Sequence, residues 1–200
     1  MLNTRYVFVD IDTQRDFLEE DGALYVPGAI EIVGNLKRLI EYARERAIPI
    51  LATACAHRLN DPDPEPFPPH CLVGARGQER IDETRCETSV VVGPNDRFEG
   101  NEPPKHLTLE KEHYDVFTHA DADRIVRTYR ADGEPTFVVF GVATDYCVRA
   151  AVLGLLERGC RVEVVADAVR AVDSEREGEV FTELVERGAS LTVTEVVLGR

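Results

Sequence analysis

The stretch Phe137-Val138-Val139-Phe140-Gly141-Val142-Ala143-Thr144-Asp145-Tyr146-Cys147-Val148 decides how this chain of 200 residues folds. Its first half is a run of β-branched and aromatic residues closed by a glycine, the pattern of a strand buried on both faces of a parallel sheet. Residues 148–158 then place apolar side chains at helical spacing and stop at Gly159, as a helix does. Thr144 or Asp145 reads as the helix N-cap, which puts Cys147 in the first helical turn. Unpaired N–H groups and the positive end of the helix dipole gather there, and they favour both a thiolate and a developing oxyanion. Cys147 is therefore a candidate nucleophile; its other reading is a small buried hydrophobe.

The same alternation extends outward along the chain. Strands are predicted at about 6–11, 48–53, 88–92, 136–142, 161–166 and 191–195, and helices at about 29–47, 120–131, 145–158 and 175–188. Strand–helix alternation implies right-handed crossovers, hence a three-layer α/β/α architecture around a mostly parallel, doubly wound sheet of six strands. The length suits one domain over 1–200. Residues 54–87 and 93–118, rich in Pro, Asp, Glu and Gly, read as loops long enough to carry function. Open sheets of this kind bind ligands at the carboxyl ends of their strands, where Cys147 emerges. No Gly-x-Gly-x-x-Gly loop is present, which removes the dinucleotide reading.

Composition narrows the partners. With 44% hydrophobic and 30% charged residues, the chain is an ordinary globular sequence, with no apolar run near the ~20 residues of a membrane span. A formal charge of -14 without a basic stripe argues against nucleic acid. The chain enters its first strand at Tyr6-Val7-Phe8-Val9 with no basic segment and apolar core before it, so a cytoplasmic protein is expected. Cysteines at 55, 71, 86, 147 and 160, an odd count, fit reduced thiols.

Three further segments carry chemistry. The first strand ends Val9-Asp10-Ile11-Asp12-Thr13-Gln14-Arg15-Asp16-Phe17 at the same sheet edge as Cys147. A carboxylate there can accept the thiol proton and return it to a leaving amine; Asp12 stands nearer the strand end than Asp10. Lysine is scarce, at 37, 105 and 111 only, and Lys111 follows the apolar Leu107-Thr108-Leu109. An ammonium near the acid and thiol would favour their charged forms, although alone Lys111 reads as a surface lysine. Cys55-Ala56-His57 and Phe67-Pro68-Pro69-His70 supply soft and borderline donors that can build an open three-ligand site for a divalent metal, zinc or iron. His106, His113 and His119 read as ordinary loop residues.

Taken together, the motifs resemble the cysteine hydrolases of the isochorismatase-like superfamily, and within it the nicotinamidase branch, over nearly the whole chain. Asp12-Thr13-Gln14-Arg15-Asp16-Phe17 is similar to the family's Asp-x-Gln-x-Asp-Phe, Lys111-Glu112-His113-Tyr114-Asp115-Val116-Phe117 to its Lys-x-x-Tyr-x-x-Phe, and Gly141–Val148 to its nucleophile motif. The resemblance implies a catalytic set of Asp12, Lys111 and Cys147. It also implies a cis peptide between Val142 and Ala143 that turns the Ala143 N–H towards the oxyanion beside the Cys147 N–H. Phe17, Phe67 and Tyr146 would contact the substrate ring. Where metal-bearing members read Asp-x-His, this chain has Cys55-Ala56-His57, so the implied ligands are Cys55, His57 and His70, with zinc, iron or manganese as the ion. The implied activity is hydrolysis of nicotinamide to nicotinate and ammonia through a thioester on Cys147, by a homo-oligomer. The alternatives are a related amidase acting on another small amide or a carbamoyl or ureido compound, and a silent metal-binding or interaction module.

Overall fold

The computed structural model describes residues 6–59, 67–131 and 133–200. Its strands are β1 (Tyr6–Ile11), β2 (Ile50–Cys55), β3 (Val90–Val92), β4 (His106–Lys111), β5 (Thr136–Val142), β6 (Arg161–Arg170) and β7 (Ser190–Thr192). Its α-helices are α1 (Arg15–Leu18), α2 (Ala29–Glu45), α3 (Ala122–Arg130), α4 (Arg149–Glu157), α5 (Glu177–Glu186) and α6 (Thr194–Leu198). The strands form one sheet in the order β3-β4-β2-β1-β5-β6-β7, and each pairing is parallel.

Alternation along β1 builds the two faces. Val7, Val9 and Ile11 point into a core shared with α3, α4 and α5, while Phe8 joins α1, α2 and α6 on the opposite side. In α2, Ile32, Leu36, Leu39, Ile40 and Ala43 recur at three- and four-residue intervals and are all buried, which is the stripe a surface helix needs to cover one sheet face. The α/β/α sandwich read from the sequence is thus present, with both faces of the central strands covered.

The sheet has seven strands rather than six. The added one, β4, lies inside the 93–118 segment read as a loop. Its sequence His-Leu-Thr-Leu-Glu-Lys offers two aliphatic residues among charged and polar ones, so it lacks the apolar run that marks a buried strand. The sequence also suggested a strand over 191–195; pairing stops at Thr192, and Thr194–Leu198 coils into α6, where Val197 is buried beside α2. Packing there overrides the β-preference of the two valines. Residues 60–66 of the long 54–87 segment lie outside the described residues. Among the described residues, no helix is long and apolar enough to cross a membrane.

Strand order reverses at β1. β2 and β4 lie to one side of it and β5 to the other, which opens a crevice at the carboxyl ends of β1 and β5. Gly141 lets these two strands close at that end. It pairs with Ile11 and adopts φ +115°, and a Cβ there would lie 2.0 Å from the Ile11 carbonyl oxygen. Gly141→Ala must therefore push apart the two strands that frame the crevice and also enter a backbone region closed to alanine. The expected loss is about 3–5 kcal/mol of folding stability, measured by denaturant titration; a loss below about 1 kcal/mol would show that the strand ends are loosely held.

Candidate active site

β1 ends at Ile11, and the next residue, Asp12, takes φ +46°, a region that aspartate enters more readily than most residues. Thr53 on β2 fixes it: Asp12 N donates to Thr53 O at 3.2 Å, and Thr53 Oγ1 donates to Asp12 Oδ1 at 2.6 Å. The other carboxylate oxygen lies 2.8 Å from Lys111 Nζ, with Asp12 0% and Lys111 1% exposed. Lys111 ends β4 in register with Cys55 at the end of β2. Its ammonium also donates to Cys55 Sγ at 3.2 Å and to Cys147 Sγ at 3.5 Å. One buried cation thus faces one carboxylate and two sulfurs. Asp10 stands apart from this group: it is buried against the guanidinium of Arg80, which also donates to Thr13 Oγ1.

Cys147 reaches the cation from a π-helical turn, Thr144–Val148, that precedes α4. Such turns concentrate at functional sites. The residue capping the turn is Ala143, not Thr144 or Asp145 as the sequence suggested, and the Val142–Ala143 peptide is cis. Thr144 Oγ1 donates instead to Glu177 at 3.0 Å, and the Asp145 carboxylate accepts from Val172 N and Asp173 N, each at 3.0 Å. Those bonds tie the turn to the segment after β6. Helical periodicity cannot reveal a wider turn of this kind, because it leaves the apolar spacing of the following helix unchanged.

Burial sets the charges. It raises the Asp12 pKa, a rise reinforced by the charge of Cys55 and opposed by Lys111. Burial also pulls Lys111 downward, but Asp12, Cys147 and Cys55 outweigh it and hold the amine well above its usual range, so it is an ammonium. Of the two thiols, Cys147 is pushed well up by the hydrogen bond it shares with Cys55 and by burial, against Lys111. Cys55 is pulled well down by that same bond, against burial and with Lys111, His57 and His70 adding to the pull. The two thiols, bonded to one another in one buried corner, are thus pushed in opposite directions beside a single ammonium.

Cys55 also belongs to a donor cluster. Its sulfur and one ring nitrogen each of His57 and His70 lie within 4.8 Å of one another, all three residues being buried. His70 Nδ1 is 2.9 Å from Pro68 O, which places the proton on Nδ1 and leaves Nε2 the lone pair a metal takes. A thiol of lowered pKa and two imidazoles suit zinc or another borderline-soft divalent ion. The donor chemistry fits a metal, with softer character than a carboxylate would give.

Between this cluster and Cys147 lies a cavity of about 540 Å³ including its mouth. Phe17, Phe67 and Tyr146 form aromatic walls, and Val142, Ala143 and Cys147 its floor. Phe67 meets Tyr146 edge-on at a centroid distance of 5.3 Å, and Phe17 lies 5.4 Å from the His70 ring.

The sequence profile of the isochorismatase domain matches residues 6–196, from β1 into α6. The chain belongs to the isochorismatase family. Within that family it resembles the nicotinamidase of Escherichia coli, with 26% identity over 208 residues covering 90% of this chain and 91% of that one. Among solved structures, the pyrazinamidase of Pyrococcus horikoshii in complex with zinc superposes with a TM-score of 0.77 at 27% identity, covering 94% of this chain and 99% of that chain. The N-carbamoylsarcosine amidase of Thermoplasma acidophilum gives a TM-score of 0.76 at 28% identity, covering 96% and 97%. This isochorismatase-family chain is a hydrolase.

The structure of this family member also brings in residues that sequence reasoning passed over. Gln14 clamps Cys55: its amide donates to Cys55 O and Gln78 O, each at 2.8 Å, and accepts from Cys55 N at 2.7 Å. Asp16 accepts from Cys71 N at 2.6 Å and so steadies the chain beside His70. The motif positions of Gln14 and Asp16 were the available signal. Glu112, His113 and Tyr114, just past Lys111, line the cavity. Of the histidines read as loop residues, His113 therefore borders the site, His106 opens β4, and His119 is buried, with Nε2 3.1 Å from Gly93 O.

Proposed function

We propose that residues 1–200 form one amide-hydrolysing unit whose substrate is a small, uncharged aromatic carboxamide of the nicotinamide class, cleaved to the acid and ammonia through a thioester on Cys147. The observation that carries this reading is Lys111 Nζ, buried 2.8 Å from Asp12 and 3.5 Å from Cys147, the thiol that lines an aromatic-walled cavity. A buried acid of raised pKa beside a thiol is a stronger base than an ordinary aspartate once deprotonated. A silent module has no use for a buried carboxylate, ammonium and thiol in mutual contact, since placing such charges in the interior is costly.

In the proposed reaction Asp12 takes the Cys147 proton as sulfur attacks the carboxamide carbon, and the Ala143 and Cys147 N–H groups receive the oxyanion. Collapse breaks the C–N bond, and the proton on Asp12 leaves with ammonia. Water then attacks the thioester and Asp12 accepts one of its protons; collapse expels the Cys147 sulfur, which takes that proton back, and the acid leaves with the other and loses it to solvent. Lys111 remains an ammonium throughout and compensates whichever of its three neighbours is anionic.

The cavity chemistry supports the choice of substrate. Its described lining contains Glu112 but no lysine or arginine, so a substrate bearing a carboxylate finds no counter-charge there. Phe17, Phe67 and Tyr146 offer ring contacts to a flat aromatic amide. A zinc ion on Cys55, His57 and His70 would serve as a Lewis acid that anchors a ring nitrogen. The wild-type protein is expected to purify with zinc in near-stoichiometric amount and His57→Ala to lose it, as read by elemental analysis; equal zinc in both would remove the metal assignment.

The deciding assay is ammonia release over a panel of nicotinamide, pyrazinamide, benzamide and N-carbamoylsarcosine. The expected order places the heteroaromatic amides first and the carboxylate-bearing compound last. Preference for N-carbamoylsarcosine would overturn the substrate reading.

A further inference from the structure

Asp10 is a buried acid that the proposed hydrolysis does not use. It is 1% exposed and pairs with the guanidinium of Arg80. A buried ion pair is weak grounds for stability, because desolvation offsets the attraction, so the role of Arg80 rests on what else it holds. The Nη2 that meets Asp10 also donates to Thr13 Oγ1 at 2.6 Å, and Nη1 donates to Thr53 O at 3.0 Å. Thr53 O is the same carbonyl that accepts from Asp12 N, and the Thr53 hydroxyl is the one that holds Asp12 Oδ1. One guanidinium therefore grips the residue after Asp12, the residue two before it and the residue beside it on β2.

Asp12 needs such a grip. A non-glycine residue at φ +46° keeps that conformation only where its surroundings enforce it. Its carboxylate must also stay on Lys111 while it bonds the Cys147 thiol. Backbone pairing delivers the clamp: Arg80 bridges Gln14 in antiparallel fashion, Arg15 N donates to Glu79 O at 2.9 Å, and Ile81 N donates to Thr13 O at 3.1 Å.

We propose that Arg80 is a positioning residue of the hydrolytic site: its fork, anchored on Asp10, holds Asp12 in the geometry from which it takes the Cys147 proton. This inference rests on the reading of Asp12 as the base in amide hydrolysis.

The test is Arg80→Lys. Lysine keeps the charge against Asp10, but a single ammonium cannot reproduce the planar fork that reaches Thr13 and Thr53 together. The unfolding midpoint should stay near that of the wild type. With KM unchanged, kcat for nicotinamide should fall, and iodoacetamide should label Cys147 more slowly, each by about 10- to 10²-fold, the cost of a misplaced reacting group. A merely structural role would lower the midpoint and spare both rates. Labelling needs no amide substrate, so the two readings separate: a wild type that releases no ammonia from any amide defeats the hydrolysis reading, and the labelling rates then decide the role of Arg80 by themselves. Should Arg80→Lys fail to fold, Thr13→Val decides by the same rates, since it cuts one arm of the fork and leaves the ion pair. Its control is Thr84→Val, which cuts the 2.8 Å contact between the Thr13 and Thr84 hydroxyls but not the fork. An unchanged kcat or labelling rate in folded Arg80→Lys, or equal rates in Thr13→Val and Thr84→Val, would overturn the proposal.

Discussion

Cys147→Ala is expected to lower kcat/KM for the aromatic amides by about 10⁴-fold or more, because removing a nucleophile leaves only binding and oxyanion contacts to act on the substrate. The fold should survive. Cys147 packs at the edge of its core cluster and is 9% exposed, and the turn that carries it is held by Asp145 and Thr144 rather than by the thiol. An unfolding midpoint near that of the wild type, together with lost ammonia release, is the predicted pair of results. Ammonia release at the wild-type rate would mean that the cysteine is structural and that another group does the chemistry.

Asp12→Asn is expected to act on two levels. As the loss of a general base it should cost about 10²–10⁴-fold in kcat/KM. As the loss of the nearest carboxylate to a fully buried ammonium it should also destabilise the fold by about 3–5 kcal/mol, towards the lower end because Cys55 remains 3.2 Å from Lys111. Lys111→Met should destabilise in the converse way, leaving Asp12 buried without its cation. The double variant, which removes both charges, should be less destabilised than the two singles summed, since the groups are in contact. The wild-type pH profile follows from the same geometry. Asp12 acts when deprotonated, and burial followed by the charge of Cys55 raises its pKa, so kcat/KM should fall on acidification at a pH above the ordinary aspartate value of about 4. An acid limb at or below that value would place the base elsewhere.

These expectations draw on features that the sequence displayed unevenly. The core of the sandwich was legible where the code is redundant: the run Phe137–Phe140 could belong only to a buried strand or a buried helix, and Gly141 settled which. β4 was not legible, because the strand that delivers Lys111 opens on a histidine and ends on two charged residues, and is buried only once β2 and β3 stand on either side of it. The residues of the triad could be named from their motifs, yet nothing in the sequence could show the 2.8 Å contact that makes them a unit. Cys55 is the instructive case. Spacing marked it as a metal donor, whereas register with Lys111 across the β2–β4 pair also brings its sulfur to the Lys111 ammonium. That cross-strand relation sets a second thiol beside Cys147, and local sequence carries no trace of it.

The central claim is that amide cleavage passes through an acyl group on Cys147. The most direct test is a rapid acid quench of wild-type protein turning over nicotinamide, followed by peptide mass spectrometry. The account predicts a nicotinoyl thioester on the peptide containing Cys147 and on no other cysteine peptide, with its decay matching nicotinate formation. Steady release of ammonia with Cys147 never acylated at any quench time would contradict it.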